Sequence, residues 1–485
     1  MNGSIVRLYV LVLALFATVV GFTSYWTIFD AEELEEKQDN RRSLIEAQKI
    51  PRGTITTVDG TEVAISVPTG SGNQRIFVRE YPQGELFGHP VGYSFVEQGN
   101  SEIELSENDV LVGRDNEFVS IIEQLEGQVD EGSDLTVTLD AEAQQIAEDG
   151  IENAISVPET GGALVAIEPD TGAVRAMVSE PGYDPNLVPD QFDQLREDAE
   201  TPLLNRPTQS TYPPGSTMKV VTATAALDSG EFETSTVLNA DSPIDISGVP
   251  LQNADGQPAG EIDMTAALTN SVNTYWAQVG EQLGPETMVQ YMERFGFFRD
   301  PPLDFPNDQM APSGVYNSDG ALVREGFDVG RVAIGQGGEE GQLLATPIQM
   351  AQVAAAVANG GDLMEPTFVQ QINDPEGRTT QELDPDVQST VMSDDTASEV
   401  AEMMTNVAEE GTAAGLSVAG STLAGKTGTA EIDIDTSLNQ AWFIGFAPAD
   451  DPEIAVAATA ERCTGCFGGD TAGPIATDVM ASLLD

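Results

Sequence analysis

Residues Leu8 to Phe29 form an apolar run of 22 residues without a charge, and no other feature restricts the fold of this chain as tightly. About 20 apolar residues in a helix cross a bilayer. Arg7 precedes the run, and Asp30-Ala31-Glu32-Glu33-Leu34-Glu35-Glu36 follows it. That asymmetry fits the positive-inside tendency, with the amino terminus in the cytoplasm. The alternative is a cleaved signal peptide. Its apolar part is shorter, roughly 7–15 residues, and usually ends at a small-residue site. Here the run ends in Thr23-Ser24-Tyr25-Trp26-Thr27-Ile28-Phe29, an aromatic belt without an Ala-x-Ala site. An uncleaved single-pass anchor is therefore expected within residues 1–29, in the cell membrane. The remaining 456 residues are expected outside the cytoplasm.

Those residues must fold despite their charge. The 485-residue chain has 80 acidic and 20 basic residues, a net charge of −60. Nucleic acid is excluded as a partner, since nothing would offset its phosphates. A basic patch for anionic lipid is excluded as well. Disorder is what such acidity would ordinarily imply. It fails here because 40% of residues are apolar and the periodic segments are long. The expected outcome is a folded protein with a carboxylate-covered surface. Self-repulsion of that size is tolerable where salt screens it, with a Debye length of about 3 Å at 1 M. A halophilic source, living in high salt, is expected.

Along the chain, residues 30 to 49 read as a polar helical linker. Asp59-Gly60 lies between alternating runs and signals a hairpin. Short strands and loops continue to about Gly113. Leu135–Leu139 is another strand, and Asp140 caps a helix to about Ile155. This β-rich pedestal, residues 30–157, shows no constellation of chemical groups and reads as a spacer or docking module. A second domain, residues 158–485, opens with a hairpin of Ala163–Ile167 and Ala173–Val178. Helices are expected over Ser216–Leu227, from Met264 past Val279, after the cap Thr346 with Pro347 at its first position, and from Ser393 to Glu410. Three strands are expected over Thr422–Ala430, Ala441–Pro448 and Glu453–Ala460, then a helix from Pro474. The order predicts an α/β (α+β) domain, an antiparallel sheet covered by helices, in which the first two strands rejoin the last three.

Only four lysines occur: Lys37, Lys49, Lys219 and Lys426. Sixteen of the twenty basic residues are arginine, which does not lose its proton in a protein, whereas lysine does. Lys219 lies in Tyr212-Pro213-Pro214-Gly215-Ser216-Thr217-Met218-Lys219. There the prolines and glycine halt the preceding chain and a helix begins. Ser216 and Lys219 share one helix face, near unpaired N–H groups and the positive end of the dipole. They are a candidate nucleophile and base. On the local pattern alone the plainer reading, an N-capping serine and a surface lysine, is preferred. Two further motifs change that: Ser271-Val272-Asn273 in the next helical region, and Lys426-Thr427-Gly428-Thr429 on the first late strand. The single histidine, His89, excludes two-histidine zinc sites and is assigned a structural or surface role. No metal or cofactor is expected. Gly335-Gln336-Gly337-Gly338 lacks the lysine and spacing of a phosphate loop and reads as a tight loop. Cys463-Thr464-Gly465-Cys466 offers too few ligands for zinc; outside the cytoplasm a local disulfide is the expected state.

Ser-x-x-Lys, Ser-x-Asn and Lys-Thr-Gly in this order mark penicillin-binding proteins and class A β-lactamases. The chain resembles the class B penicillin-binding proteins, membrane-anchored D,D-transpeptidases with a serine transpeptidase/β-lactamase-like domain. The resemblance covers nearly the whole chain. It includes the anchor, Arg52-Gly53-Thr54-Ile55, Gly162 to Gly172, Gly335-Gln336-Gly337 before Thr346-Pro347, and Gly425 to Glu431. Tyr81 to Gly84 and His89 to Tyr93 look most like the actinobacterial penicillin-binding protein A branch. No glycosyltransferase module precedes the pedestal, which is the reason for class B.

The resemblance implies that Ser216 attacks the D-Ala–D-Ala carbonyl of a peptidoglycan stem peptide and is acylated by β-lactams. Lys219 would take its proton, and Ser271 would relay a proton to the leaving group. Asn273 would contact the substrate amide and Lys219. Lys426, Thr427, Gly428 and Thr429 would form the strand that holds the substrate carboxylate. The N–H groups of Ser216 and Thr429 would form the oxyanion hole. The implied role is cell wall synthesis in division, shape or sporulation. The implied partner is a polytopic glycan polymerase of the shape, elongation, division and sporulation family. The rival activities are a D,D-carboxypeptidase or β-lactamase-type hydrolase and a non-catalytic β-lactam-binding scaffold or sensor.

The high-salt reading is tested by the unfolding midpoint measured against NaCl. The midpoint is expected to rise with salt, and full stability at low ionic strength would exclude the reading.

Overall fold

The computed structural model describes residues 3–28, 48–72, 75–113, 131–155, 161–254, 256–338, 341–433 and 438–484. The helical linker expected over residues 30 to 49 lies outside them except for Gln48 and Lys49, and so does the expected boundary at residues 157 and 158. Helix α1 (Gly3–Ile28) carries the apolar run. Its segment Ile5–Thr23 is long and apolar enough to cross a membrane, and none of it is buried against the rest of the chain. A core helix of a soluble domain would be covered; this one is not.

The pedestal is built on strands β1 (Ile55–Thr56), β2 (Glu62–Thr69), β3 (Ile76–Glu80) and β4 (Asp134–Val137). The Asp59-Gly60 turn joins β1 to β2 in an antiparallel pair, as the sequence predicts. β4 returns parallel to β1, with Leu135 opposite Ile55. Asp140 then caps helix α2 (Ala141–Ala154), its carboxylate accepting from Ala143 N–H at 2.9 Å.

The second domain contains, in order, β5 (Gly161–Ile167), β6 (Val174–Glu180), α3 (Lys219–Asp228), α4 (Met264–Thr269), α5 (Asn273–Arg294), α6 (Pro347–Ala358), β7 (Val369–Asn373), β8 (Thr379–Glu382), α7 (Asp394–Glu410), β9 (Ala424–Asp433), β10 (Leu438–Ala447), β11 (Ile454–Thr464) and α8 (Ala472–Leu484). Its central sheet is antiparallel in the order β9-β10-β11-β5-β6. The first two strands do rejoin the last three. Every residue of β5 is buried. Successive side chains of a strand point to opposite faces, so both faces of the sheet are covered. Helices α2 and α8 pack together on one face, and α6 and α7 lie on the other.

Three expectations need correction. The helix expected over Ser216–Leu227 begins as a tighter 3₁₀ turn, Gly215–Met218, and becomes an α-helix only at Lys219. The helix expected from Met264 past Val279 is two helices, broken where Ser271 adopts φ of 55°. A polar residue with positive φ stops a helix locally, and the apolar periodicity on either side hides it. The pedestal, read as free of chemical groups, holds a buried charge cluster. Glu104 lies between Arg52 (2.7 Å) and Arg79 (2.5 Å). The sequence separates these residues by 25 to 52 positions, so no local pattern joins them.

The sheet pairings also cross the expected domain boundary. β7 and β8 join the pedestal, giving a six-stranded sheet in the order β8-β7-β4-β1-β2-β3. The pedestal is further bound to the second domain by side chains. His89 Nε2 lies 2.9 Å from the Pro202 carbonyl, Tyr183 donates to the Gly88 carbonyl at 2.9 Å, and Asn205 donates to the His89 carbonyl at 3.1 Å. Burial pushes the His89 imidazole down to about 3, so it is neutral and structural.

Removing one partner of a buried ion pair typically costs about 3–5 kcal/mol, because a charge is left uncompensated. Glu104→Gln is expected to lose about that much and to lower the urea midpoint of the pedestal. A midpoint equal to wild type would show that Glu104 does not hold the module together.

Candidate active site

Ser216, Lys219, Ser271, Asn273 and Lys426 converge on one point from three separate segments. The turn Gly215–Met218 presents Ser216 half-buried at the start of α3. That turn is held from below. Trp442 Nε1 donates to the Pro213 carbonyl at 3.0 Å, and Tyr212 exchanges backbone hydrogen bonds with Ala345 at 2.9 and 2.8 Å. The Gly335 loop lies directly against it: Gly215 N–H donates to Gly335 O at 3.0 Å, and a Cβ on Gly335 would stand 1.8 Å from Gly215 O. The glycine-rich stretch read as a tight loop is therefore a packing surface for the Ser216 turn. Any side chain at residue 335 would push that turn away.

Lys219 is fully buried. Its Nζ has four oxygens around it: Ser271 O and Asn273 Oδ1, both at 2.7 Å, Ser216 Oγ at 3.0 Å, and Ser271 Oγ at 3.2 Å. The two shortest contacts are to oxygens that cannot donate. A neutral amine has two N–H donors and one lone pair. It would give both donors to Ser271 O and Asn273 Oδ1, leaving the lone pair for the hydroxyl hydrogen of Ser216. Burial, and then the positive charge of Lys426, hold the Lys219 amine well below its ordinary value. Among the described residues neither lysine is paired with a carboxylate, although the chain carries 80.

Ser271 sits in the break between α4 and α5. Its left-handed backbone aims both its carbonyl and its hydroxyl at the lysines. Such backbone strain is common where a functional group must be aimed. Lys426 Nζ donates to Ser271 Oγ and to the Thr427 carbonyl, both at 2.9 Å. Burial lowers Lys426 to about 7. The order Lys219–Ser271–Lys426 is a continuous polar bridge across the site.

The strand β9 forms the opposite wall. A Cβ on Gly428 would be 2.8 Å from the Pro214 carbonyl, so only glycine lets the Ser216 turn approach this strand. A Cβ on Gly215 would be 3.2 Å from the backbone of Thr429 and Ala430. The Ser216 turn and Thr429, the two expected oxyanion donors, thus come from adjoining backbone. Thr429 Oγ accepts from Gly468 N–H at 3.3 Å. The structure pairs Cys463 with Cys466 as a disulfide in the turn that precedes Gly468. Asn439 Nδ2 donates to the Cys466 carbonyl at 3.0 Å and holds that turn over the strand.

Two residues beside the site carry no motif. Thr412, just past α7, shares a hydrogen bond of 2.6 Å with the Thr427 hydroxyl, and its N–H donates to Thr269 O at 3.2 Å. It ties the Lys-Thr-Gly strand to the helix before Ser271. Asn253 accepts from Thr274 N–H and Oγ, both at 3.0 Å, and fixes the first turn of α5 where Asn273 projects. A threonine after a helix-stopping glycine and an asparagine in a loop have no sequence signal of their own. Among the described residues, no group of three or more His, Cys, Asp or Glu side chains could hold a metal ion.

A family model described as "Penicillin binding protein transpeptidase domain" matches residues 162–481, and one described as "Penicillin binding protein A dimerisation domain" matches residues 52–135. The chain is 32% identical to the peptidoglycan D,D-transpeptidase PbpA of Mycolicibacterium smegmatis, over 100% of this chain and 99% of the relative. It is 31% identical to the PbpA of Mycobacterium tuberculosis over the same shares. The structure of penicillin-binding protein A from M. tuberculosis as a penicillin G acyl-enzyme complex is similar at TM-score 0.79 and 30% identity, covering 90% of this chain and 100% of that one. With matches along its whole length, the chain belongs to the penicillin-binding protein transpeptidase family, on its penicillin-binding protein A branch.

Proposed function

We propose that this chain is a peptidoglycan D,D-transpeptidase that works through a Ser216 acyl-enzyme and is inhibited by β-lactams at the same serine. The observation that carries the reading is the buried Lys219, 3.0 Å from Ser216 Oγ and without a carboxylate partner among the described residues. Ser216 Oγ would attack the penultimate D-Ala carbonyl while its proton passes to Lys219 Nζ. A C–O bond forms and the carbonyl oxygen becomes an oxyanion. The N–H groups of Ser216 and Thr429 would stabilise it; losing one such donor typically costs about 10²–10³ in rate. Collapse breaks the C–N bond, and the departing D-Ala amine takes a proton from Lys219 through Ser271. An acceptor amine on a neighbouring stem then attacks the ester carbonyl and gives a proton to Lys219; the acyl C–O bond to Ser216 breaks, and Lys219 passes that proton to Ser216 Oγ, leaving the cross-link amide and the free serine. Lys426, with the hydroxyls of Thr427 and Thr429, would hold the terminal carboxylate of the donor stem.

The M. tuberculosis relative forms an acyl-enzyme with penicillin G, which supports the same nucleophilic chemistry here. The apolar helix α1 supports attachment to the cell membrane with the catalytic domain outside the cytoplasm. A polytopic glycan polymerase that makes the strands is the partner such a placement needs. Service in cell division or cell shape, in a high-salt setting, completes the proposal.

Turnover of a stem-peptide thioester with an added D-amino-acid acceptor tests the activity. The expected product is the acceptor amide. Hydrolysis alone would mark a carboxypeptidase, and acylation without turnover a scaffold or sensor. Ser216→Ala is expected to abolish labelling by a fluorescent penicillin; retained labelling would move the nucleophile elsewhere.

The pH dependence of acylation follows from the two lysines. As pH falls through the depressed value of Lys219, the base takes up a proton and acylation slows. As pH rises through about 7, Lys426 loses the charge that attracts the carboxylate. The second-order rate constant for penicillin acylation, which reports the free enzyme, is therefore expected to be bell-shaped. Arginine keeps its charge at all these pH values. Lys426→Arg should react more slowly but lack the alkaline limb. An unchanged alkaline limb in that variant would remove Lys426 from this role.

A further inference from the structure

An ionised carboxylate only accepts hydrogen bonds, and a hydroxyl has a single hydrogen to give. A threonine that holds the donor carboxylate must therefore keep that hydrogen free, with its neighbours donating to it. Thr429 meets this condition. Its Oγ accepts from Gly468 N–H at 3.3 Å, and a backbone N–H can only donate. Thr427 is bonded differently: its Oγ lies 2.6 Å from Thr412 Oγ, and between two hydroxyls either one can donate. If Thr427 donates, its hydrogen is spent inside the protein. If Thr412 donates, the Thr427 hydrogen is free. An oxygen that already accepts a bond is also polarised into a stronger donor.

The backbone holds Thr412 in place for this. Gly411 ends α7, and a Cβ on it would stand 2.3 Å from the Thr269 carbonyl, so glycine lets the chain close on the end of α4. Thr412 N–H then donates to Thr269 O at 3.2 Å, one of the last carbonyls of α4 that the helix itself leaves without a partner. On the other side, a Cβ on Gly469 would be 2.9 Å from Thr412 O and 3.5 Å from Thr427 Cγ2. The Thr427 methyl therefore lies toward Gly469 and its hydroxyl toward Thr412, which selects one of its three rotamers. Thr427 is 8% exposed, whereas Thr412 is exposed and no part of the core.

From this geometry we infer that Thr412 is a positioning residue for the donor carboxylate: its hydroxyl donates to Thr427 Oγ and so leaves the Thr427 hydrogen for the ligand. Thr412 does for Thr427 what the Gly468 N–H does for Thr429. It acts through Thr427, and it serves the natural stem and a β-lactam alike, because both present a carboxylate. The inference rests on the acylation reading of Ser216 and adds to it the residue that orients the carboxylate-holding hydroxyl.

The test compares two acylating agents on the full chain in detergent, penicillin G and its methyl ester, by the second-order rate constant for Ser216 acylation read by mass spectrometry. The ester lacks the ionised carboxylate. Thr412→Val keeps the side-chain shape and the N–H bond to Thr269 and removes only the hydroxyl. It is expected to slow the acid roughly 3- to 10-fold, the size of one neutral hydrogen bond, and to leave the ester rate as in wild type. Thr412→Ser is expected to restore the acid rate. In a Thr427→Val background, Thr412→Val is expected to slow the acid no further, since its partner is already gone. Equal slowing of acid and ester would make Thr412 a tie between α4 and β9 and overturn the inference. So would an unchanged acid rate in Thr412→Val, a serine variant as slow as the valine one, or additive losses in the double variant. A wild-type chain that penicillin G does not acylate at Ser216 would instead overturn the acylation reading, and this inference with it.

Discussion

The Lys219–Ser271–Lys426 bridge is the interaction on which the rest of the structure depends. Two amines, both fully buried, meet on one hydroxyl at 3.2 and 2.9 Å. A carboxylate within reach of Lys219 would favour its charged form and remove the lone pair that the proposed base needs. In a chain with 80 acidic residues, keeping carboxylates away is a design constraint on the whole domain. The structure meets it by division of labour. Among the described residues every ion pair is made by an arginine, and every one lies away from the lysines. Among the described residues the buried acidic groups, Glu102, Glu104 and Glu180, lie away from the lysines, the other acidic groups are at least partly exposed, and Lys219 and Lys426 are met by an amide, hydroxyls and backbone carbonyls.

Close backbone approach makes the bridge possible. Three segments reach one point only because residues 335 and 428 lack a Cβ and let the Ser216 turn sit between the Gly335 loop and strand β9. Trp442, across from Gly428 on the neighbouring strand, fixes the turn from the other side by its bond to Pro213. The break at Ser271 serves the same end. A continuous helix would have spent that residue's carbonyl on its own ladder, whereas here it accepts from Lys219.

The pedestal is more than a spacer. Strands β7 and β8 come from the catalytic part of the chain yet complete the pedestal sheet, and His89, Tyr183 and Asn205 bond the two modules across their contact. The buried Arg52–Glu104–Arg79 cluster pins three segments of the pedestal to one another. Its placement beside Gln48 puts it where the chain from the membrane anchor enters the folded part.

Several elements were legible in the sequence because their causes are local. Asp140, Thr346 and Ser393 cap helices where their side chains accept from N–H groups three residues on, and any reader of the sequence would place them so. The apolar run, the Asp59-Gly60 hairpin and the three motifs are likewise short-range patterns, and lysine scarcity isolated Lys219 and Lys426 by composition alone. What only the tertiary structure decided are contacts between positions far apart in the chain. They include the 3₁₀ turn under Ser216, the left-handed break at Ser271, and the hydrogen bond between Thr412 and Thr427. They also include the return of β7 and β8 to the pedestal and the two guanidiniums on Glu104. Each depends on a partner 15 to more than 200 residues away. A sequence determines which groups are available for such contacts; the packing of the whole domain determines which of them meet, and so whether a lysine is a charge or a base.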